Sequence, residues 1–192
     1  FHSNLIKFFS FSVVALVYIR YRQVKELCEK NELKPVTKKL NKICLYLGFI
    51  ACYGVVMVAS FQETNVLVVH LMGAAMCFGL GTIYEVLQVS ISVLLYPTFG
   101  DKLVIIFRGI CAVICLITHG LTFAFGVAAW FQFTGTDITK WERKDGGYDL
   151  HLISVISEWI LAIVTQLFLV SFAGEFRLVQ FSEPTMSPRE IA

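Results

Sequence analysis

The chain has 192 residues, 57% of them hydrophobic and only 16% charged, with a formal net charge of +2. A soluble domain carries about 25% charged residues, and a mean hydropathy of +0.72 excludes a water-facing surface over most of the chain. With no basic arm and no aromatic-interleaved basic patch, nothing points to nucleic acid.

The apolar residues come in blocks of about 20 positions or more, the length that crosses bilayer hydrocarbon as an α-helix. In lipid the backbone must satisfy its own hydrogen bonds, so the blocks are helices. Ten-residue alternating segments of the β-barrel kind are absent. The expected fold is therefore all-α: a polytopic transmembrane helix bundle with five spans. The first residue is Phe1, and no small-residue cleavage site follows the first block, so the chain reads as a fragment starting just before a membrane helix.

Span one is expected at residues 3–24, ending in the basic run Arg20-Tyr21-Arg22-Gln23-Val24-Lys25. A polar loop with Pro35 leads to span two, residues 40–60. A short turn, Phe61-Gln62-Glu63-Thr64-Asn65, makes spans two and three an antiparallel pair. Span three, residues 66–95, is long enough to tilt or protrude. Within it Ala75 and Gly79 form a small-xxx-small pair suited to close helix approach. Pro97 and Gly100 mark the next turn. Span four covers residues 102–133, the polar segment 134–149 follows, and span five covers 150–173. Residues 174–192, with Pro184 and Pro188, read as a disordered tail.

Lysine and arginine placement orients the bundle. Twelve of these cations fall on the side of the first connection, the third connection and the tail, against three (Lys140, Arg143, Lys144) on the other. The first connection and the C-terminus are thus expected in the cytosol. The basic segment 20–42 is the expected contact for protein partners and for anionic membrane lipids, at about 1 kcal/mol per charge.

An ionisable side chain in a membrane helix costs a few kcal/mol. Lys7, His70, Glu85, His119, His151 and Glu158 therefore stand out. Lys7 can snorkel to the surface, and His119 reads most simply as a buried neutral imidazole. His151 and Glu158 are seven residues apart, nearly two helical turns, so they share a face. His70 lies in the same lumenal half of the bilayer. If spans three and five are neighbours, His70, His151 and Glu158 can pair as a ligand or pH-sensing site. An interhelical polar contact that fixes packing is the weightier reading. Glu85, with Gln88 one turn on, either pairs inside the bundle or faces a cavity. Trp130, Trp141, Tyr148 and Trp159 are placed as an interfacial aromatic belt.

The six cysteines imply neither a disulfide framework nor a metal centre. Cys28, juxtamembrane, is a candidate for palmitoylation. Phosphate-cradling glycine loops, HExxH and GxSxG are absent, as are an arginine ladder, a selectivity filter and paired broken helices. No catalytic residue and no cofactor is expected.

Certain runs resemble a known family. Tyr18-Ile19-Arg20-Tyr21-Arg22-Gln23-Val24, then Val58-Ala59-Ser60-Phe61-Gln62-Glu63 with Val69-His70, then Lys144-Asp145-Gly146-Gly147-Tyr148-Asp149-Leu150-His151 with Ser157-Glu158-Trp159, are similar to the damage-regulated autophagy modulator (DRAM) proteins and their wider group with the TMEM150, Frag and Sfk proteins. The resemblance implies six helices in the full protein, one upstream of this chain. It implies residence in lysosomal or other endomembranes, a positive role in autophagy linked to stress or cell death, and no established enzymatic activity. The TMEM150-type relatives imply instead the plasma membrane and phosphoinositide-kinase assembly. The tail lacks an obvious tyrosine-based or dileucine sorting signal. Two readings follow: a non-enzymatic modulator of autophagy acting through partners, or a lipid-binding or small-solute transport protein using His70, His151 and Glu158.

Overall fold

The computed structural model describes residues 2–32, 34–61 and 66–180, with side chains from residue 10 onward except Thr139. Among them are helices α1 (His2–Lys30), α2 (Pro35–Ser60), α3 (Leu67–Ala74), α4 (Gly81–Leu95), α5 (Lys102–Gln132), α6 (Tyr148–Val170) and α7 (Ala173–Phe176), with a π-helical segment, Ala75–Leu80, joining α3 to α4, and no strand. Among the described residues four helical stretches are long and apolar enough to cross a membrane: Pro35–Ser60, Leu67–Leu95, Lys102–Gln132 and Tyr148–Phe176. The fifth expected span coincides with α1, whose opening side chains, Lys7 included, lie outside the described residues.

Two boundaries differ from expectation for a common reason. Helix α1 continues past residue 24 to Lys30, and α2 starts at Pro35 rather than at residue 40. The charged residues there are good helix formers, Arg22–Glu26 and Lys25–Glu29 pair at i, i+4 spacing, and proline suits the first helical position. Most of the basic segment is thus two helix ends, not a loop. At the start of α5 the Asp101 side chain accepts a hydrogen bond from the Leu103 amide, 2.6 Å, capping an otherwise open end.

Helix α1 packs along α2; α2 packs on α3, the π-segment and α4; α4 packs on α5, and α5 on α6. Helices α2 and α3 approach closely. A Cβ at Gly54 would stand 2.6 Å from the Gly73 carbonyl oxygen, and one at Gly73 would stand 2.8 Å from the Met57 Cβ. The glycine pair that sets this approach is therefore Gly54 with Gly73, one from each helix. Of the expected Ala75/Gly79 pair, Gly79 faces the half-buried His119 on α5 instead. Gly54→Leu is expected to force the two backbones apart and to cost about 1–3 kcal/mol, read as a lower unfolding midpoint in bicelles; an unchanged midpoint would refute the contact.

One apolar core gathers Val17, Val24 and Cys28 of α1, Cys44 of α2, and Tyr84, Ile91 and Leu95 of α4. A second gathers Cys111 of α5 with Phe168 and Phe172 at the end of α6. Polar links join the helices: Ser10 Oγ to the Cys52 carbonyl at 2.9 Å and the Asn41 amide to the Tyr21 carbonyl at 2.9 Å, both between α1 and α2. Ser154 Oγ donates to the Thr122 carbonyl at 2.8 Å between α5 and α6. Each satisfies a polar group that lipid would leave unpaired.

The segment between α5 and α6 folds back on the end of α5. Gly146 and Gly147 hold positive φ values of 76° and 63°, and a Cβ on either would collide with the Gln132 or Ala129 carbonyl oxygen. Only glycine meets both demands.

Candidate functional site

The four sequence-selected ionisable residues have separate surroundings. His70 Nδ1 lies 2.8 Å from the Phe61 carbonyl oxygen, so the imidazole fastens the start of α3 to the C-terminal end of α2. His151 stacks on Trp141, with ring centroids 4.3 Å apart and planes 12° from parallel. Trp141 also contacts the Phe133 ring and donates through its indole nitrogen to the Gly146 carbonyl at 2.7 Å. His151 is thereby part of the structured α5–α6 connection. Glu158 is exposed on α6.

Glu85 is different. Its side chain is 1% exposed on α4, and neither carboxyl oxygen has a hydrogen-bond partner. Cys115 of α5 and Thr165 of α6 are the polar groups facing it; these two lie 3.7 Å apart from Sγ to Oγ1, and neither reaches Glu85 with hydrogen-bond geometry. A buried carboxyl without partners costs about 1–3 kcal/mol or more, so its presence calls for an explanation beyond packing.

Cys28, the lipidation candidate, has 0% exposure in the core between α1 and α2. Burial pushes its thiol above the ordinary range, with the nearby Lys38 charge partly opposing and Glu29 adding to the shift. A thiol that is both sequestered and hard to ionise is a poor nucleophile. Maleimide is expected to label Cys28 only after the bundle is unfolded; rapid labelling of the folded protein would contradict this packing.

The densest polar cluster involves residues read from sequence only as topology markers or tail. Arg20, 1% exposed on α1, and Arg108, 0% exposed on α5, converge on the carboxylate of Glu175 in α7. The N–O distances are 2.5 Å for Arg20 Nη1 and 2.7 Å for Arg108 Nη1. Arg20 also donates to Gln88 Oε1 at 3.2 Å and to Gln23 Oε1 at 2.7 Å. Arg108 also donates to Ser92 Oγ at 3.2 Å, to Ser171 Oγ at 2.8 Å and to the Ser171 carbonyl at 3.1 Å. The Phe172 ring lies against both guanidiniums, 3.9 Å from Arg108 Cζ and 4.9 Å from Arg20 Cζ, a cation–π arrangement.

This corrects the expectation that residues 174–192 form a disordered tail: Ala173–Phe176 is helical and Glu175 ties it to the bundle. Residues 181–192 lie outside the described set. It also removes Arg20 and Arg108 from the exposed charges available to partners. Gln88, flagged beside Glu85, belongs to this cluster. The signal available in sequence was the helical spacing of Arg20 with Val17 and Val24 and of Gln88 with Ile91, which sets these polar residues on faces shared with apolar ones. Which carboxylate meets them was not encoded locally.

Arg22, Lys25, Lys30, Lys34, Lys38, Lys39 and Lys42 remain exposed around the ends of α1 and α2. Among the described residues no ion pair engages the last five of these.

Comparison with known proteins gives these features a context. The chain is 31% identical over 170 residues to DNA damage-regulated autophagy modulator protein 2 of Bos taurus, covering 86% of this chain and 62% of that relative. It is 29% identical over 181 residues to DNA damage-regulated autophagy modulator protein 1 of Homo sapiens, covering 91% of this chain and 71% of the relative. It is 28% identical over 178 residues to the modulator of macroautophagy TMEM150B of Danio rerio, covering 89% and 62%. The chain thus spans less than two thirds of the length of several curated relatives it matches. No solved structure matches. Residues 1–179 match the family described as the Frag1/DRAM/Sfk1/Cwh43P N-terminal domain, and with the all-helical, apolar bundle in agreement, the chain belongs to this DRAM-containing family of membrane proteins.

Proposed function

We propose that this chain is the membrane bundle of a non-enzymatic modulator of autophagy, resident in lysosomal or other endomembranes, with the ends of α1 and α2 and the C-terminus in the cytosol. The observation that carries the reading is family membership together with relatives named as autophagy modulators. The exposed cations at the ends of α1 and α2 support the orientation. They also offer a contact surface for acidic protein partners and anionic lipid.

The test images the tagged full-length protein against lysosomal and plasma-membrane markers, with autophagic flux read in the same cells after knockdown and rescue. Lysosomal signal with reduced flux on knockdown is expected. A variant carrying Lys34→Gln, Lys38→Gln, Lys39→Gln and Lys42→Gln is expected to insert normally and to rescue flux less well than wild type. Surface signal with unchanged flux would overturn the reading in favour of a plasma-membrane scaffold for a phosphoinositide kinase.

A further inference from the structure

We propose that the Arg20–Arg108 cluster and the groove beside it form a binding site for an anionic phospholipid. One acyl chain lies between α1 and α6, and the phosphate takes the place that the Glu175 carboxylate holds between the two guanidiniums. The site is separate from the exposed lysines and does not depend on the organelle.

The charge count is the first argument. Two guanidiniums, both essentially inaccessible to solvent, share one carboxylate, and among the described residues no second acid pairs with them. The cluster carries a net charge of +1, which a dianionic or monoanionic phosphate balances at least as well as one carboxylate. Guanidinium forks match phosphate and carboxylate by the same planar, paired-donor geometry. Glu175 therefore occupies the seat of an anion.

The groove is the second argument. A cavity of ≈ 220 Å³ runs between α1 and α6, lined by Val13, Leu16, Leu169, Val170, Ala173 and Phe176. Its walls are mainly apolar, as an acyl chain requires, with Ser12 and Gln166 the polar members. Ala173 and Phe176 belong to α7, the same short helix that carries Glu175, so the groove and the arginine cluster share that helix.

The counter-ion is also the most accessible charge of the cluster. Glu175 is 12% exposed, whereas its partners are 1% and 0% exposed. It stands on a four-residue helix at the end of the bundle. The arginines are fixed by α1 and α5 and by Gln23, Gln88, Ser92 and Ser171. An arriving phosphate meets a fixed receptor and displaces the peripheral part. Lipid phosphates lie at the ends of membrane helices, and Glu175 stands at the end of the span Tyr148–Phe176.

The experiment uses the full chain in nanodiscs of phosphatidylcholine, with or without phosphatidylinositol, and reads retained lipid by native mass spectrometry and unfolding midpoint by circular dichroism. Wild type is expected to retain phosphatidylinositol over phosphatidylcholine by about fivefold, the factor for about 1 kcal/mol from one charge. Glu175→Gln is expected to be less stable in phosphatidylcholine and to regain its midpoint when phosphatidylinositol is present, with a larger preference than wild type. Ala173→Trp, which fills the groove and leaves the arginines intact, is expected to bring the preference to parity. Neutralising Lys34, Lys38, Lys39 and Lys42 is expected to leave it unchanged, which separates this site from the exposed cations. Parity in wild type, or no rescue of Glu175→Gln by phosphatidylinositol, would overturn the proposal. Equal competition by soluble glycerophosphate with no effect of Ala173→Trp would also overturn it, as the site of a soluble anion. So would a preference that appears only when the chain is cut after residue 180, which would assign the seat to the acids of that segment.

Discussion

Glu175→Ala is expected to destabilise the bundle by about 3–5 kcal/mol in neutral lipid, the cost of leaving a buried charge without its partner. The substitution strands two guanidiniums at once, because Arg20 and Arg108 share this carboxylate and are 1% and 0% exposed. Arg20→Ala or Arg108→Ala is expected to cost less than Glu175→Ala, since Glu175 then keeps one partner. A double-mutant cycle gives the cleaner reading: with both arginines already removed, losing Glu175 is expected to cost about 1 kcal/mol or less. Steric trapping or thermal unfolding in bicelles measures each step. A Glu175→Ala midpoint equal to wild type would show that the ion pairs contribute nothing and that α7 is held by Phe172 and Phe176 alone.

Glu85→Leu is expected to have the opposite sign. Both carboxyl oxygens are buried without hydrogen-bond partners, so an apolar side chain of similar length removes a penalty of about 1–3 kcal/mol and raises the unfolding midpoint. If the carboxyl serves the protein's function, the stabilised variant is expected to fail in flux rescue while accumulating to at least wild-type levels, the usual exchange of stability for function at a strained polar site. A lower midpoint for Glu85→Leu would mean that the carboxyl holds the bundle together and has no separate role. Glu85→Gln separates charge from shape: it keeps the volume and tests whether ionisation at this position is used.

The sequence by itself determined the fold class and the place of four long apolar stretches, because in a bilayer those follow from two local quantities. One is the length of an apolar run relative to hydrocarbon thickness; the other is the obligation of each span to satisfy its own backbone. Residues 66–95, 102–133 and 150–173 were therefore placed to within a few residues of Leu67–Leu95, Lys102–Gln132 and Tyr148–Phe176. Helix ends within the basic segment were not, because Lys, Arg and Glu lower hydropathy without lowering helix propensity, so α1 and α2 extend beyond the hydrophobic runs. The family was legible because the runs that resemble it are short, ordered and spread over most of the chain.

The polar interior was decided by tertiary structure. Polarity in an apolar run marks a residue as costly, which singled out His70, Glu85, His151 and Glu158, but it does not name the partner. His70 answers to a backbone carbonyl nine residues away and His151 to the Trp141 ring; those contacts depend on how the turns close. Arg20 and Arg108 looked like surface charges because they stand near span ends. Only the assembly of α1, α4 and α5, and the return of the chain after α6, buries them against Glu175, 155 and 67 positions away in sequence. The same holds for Gly54 and Gly73: each is an ordinary glycine in its own helix, and their joint role exists only where α2 and α3 meet. Local sequence sets how long each helix is and which residues are expensive to bury, whereas pairing across the bundle depends on helix rotation and contact, which no single segment specifies.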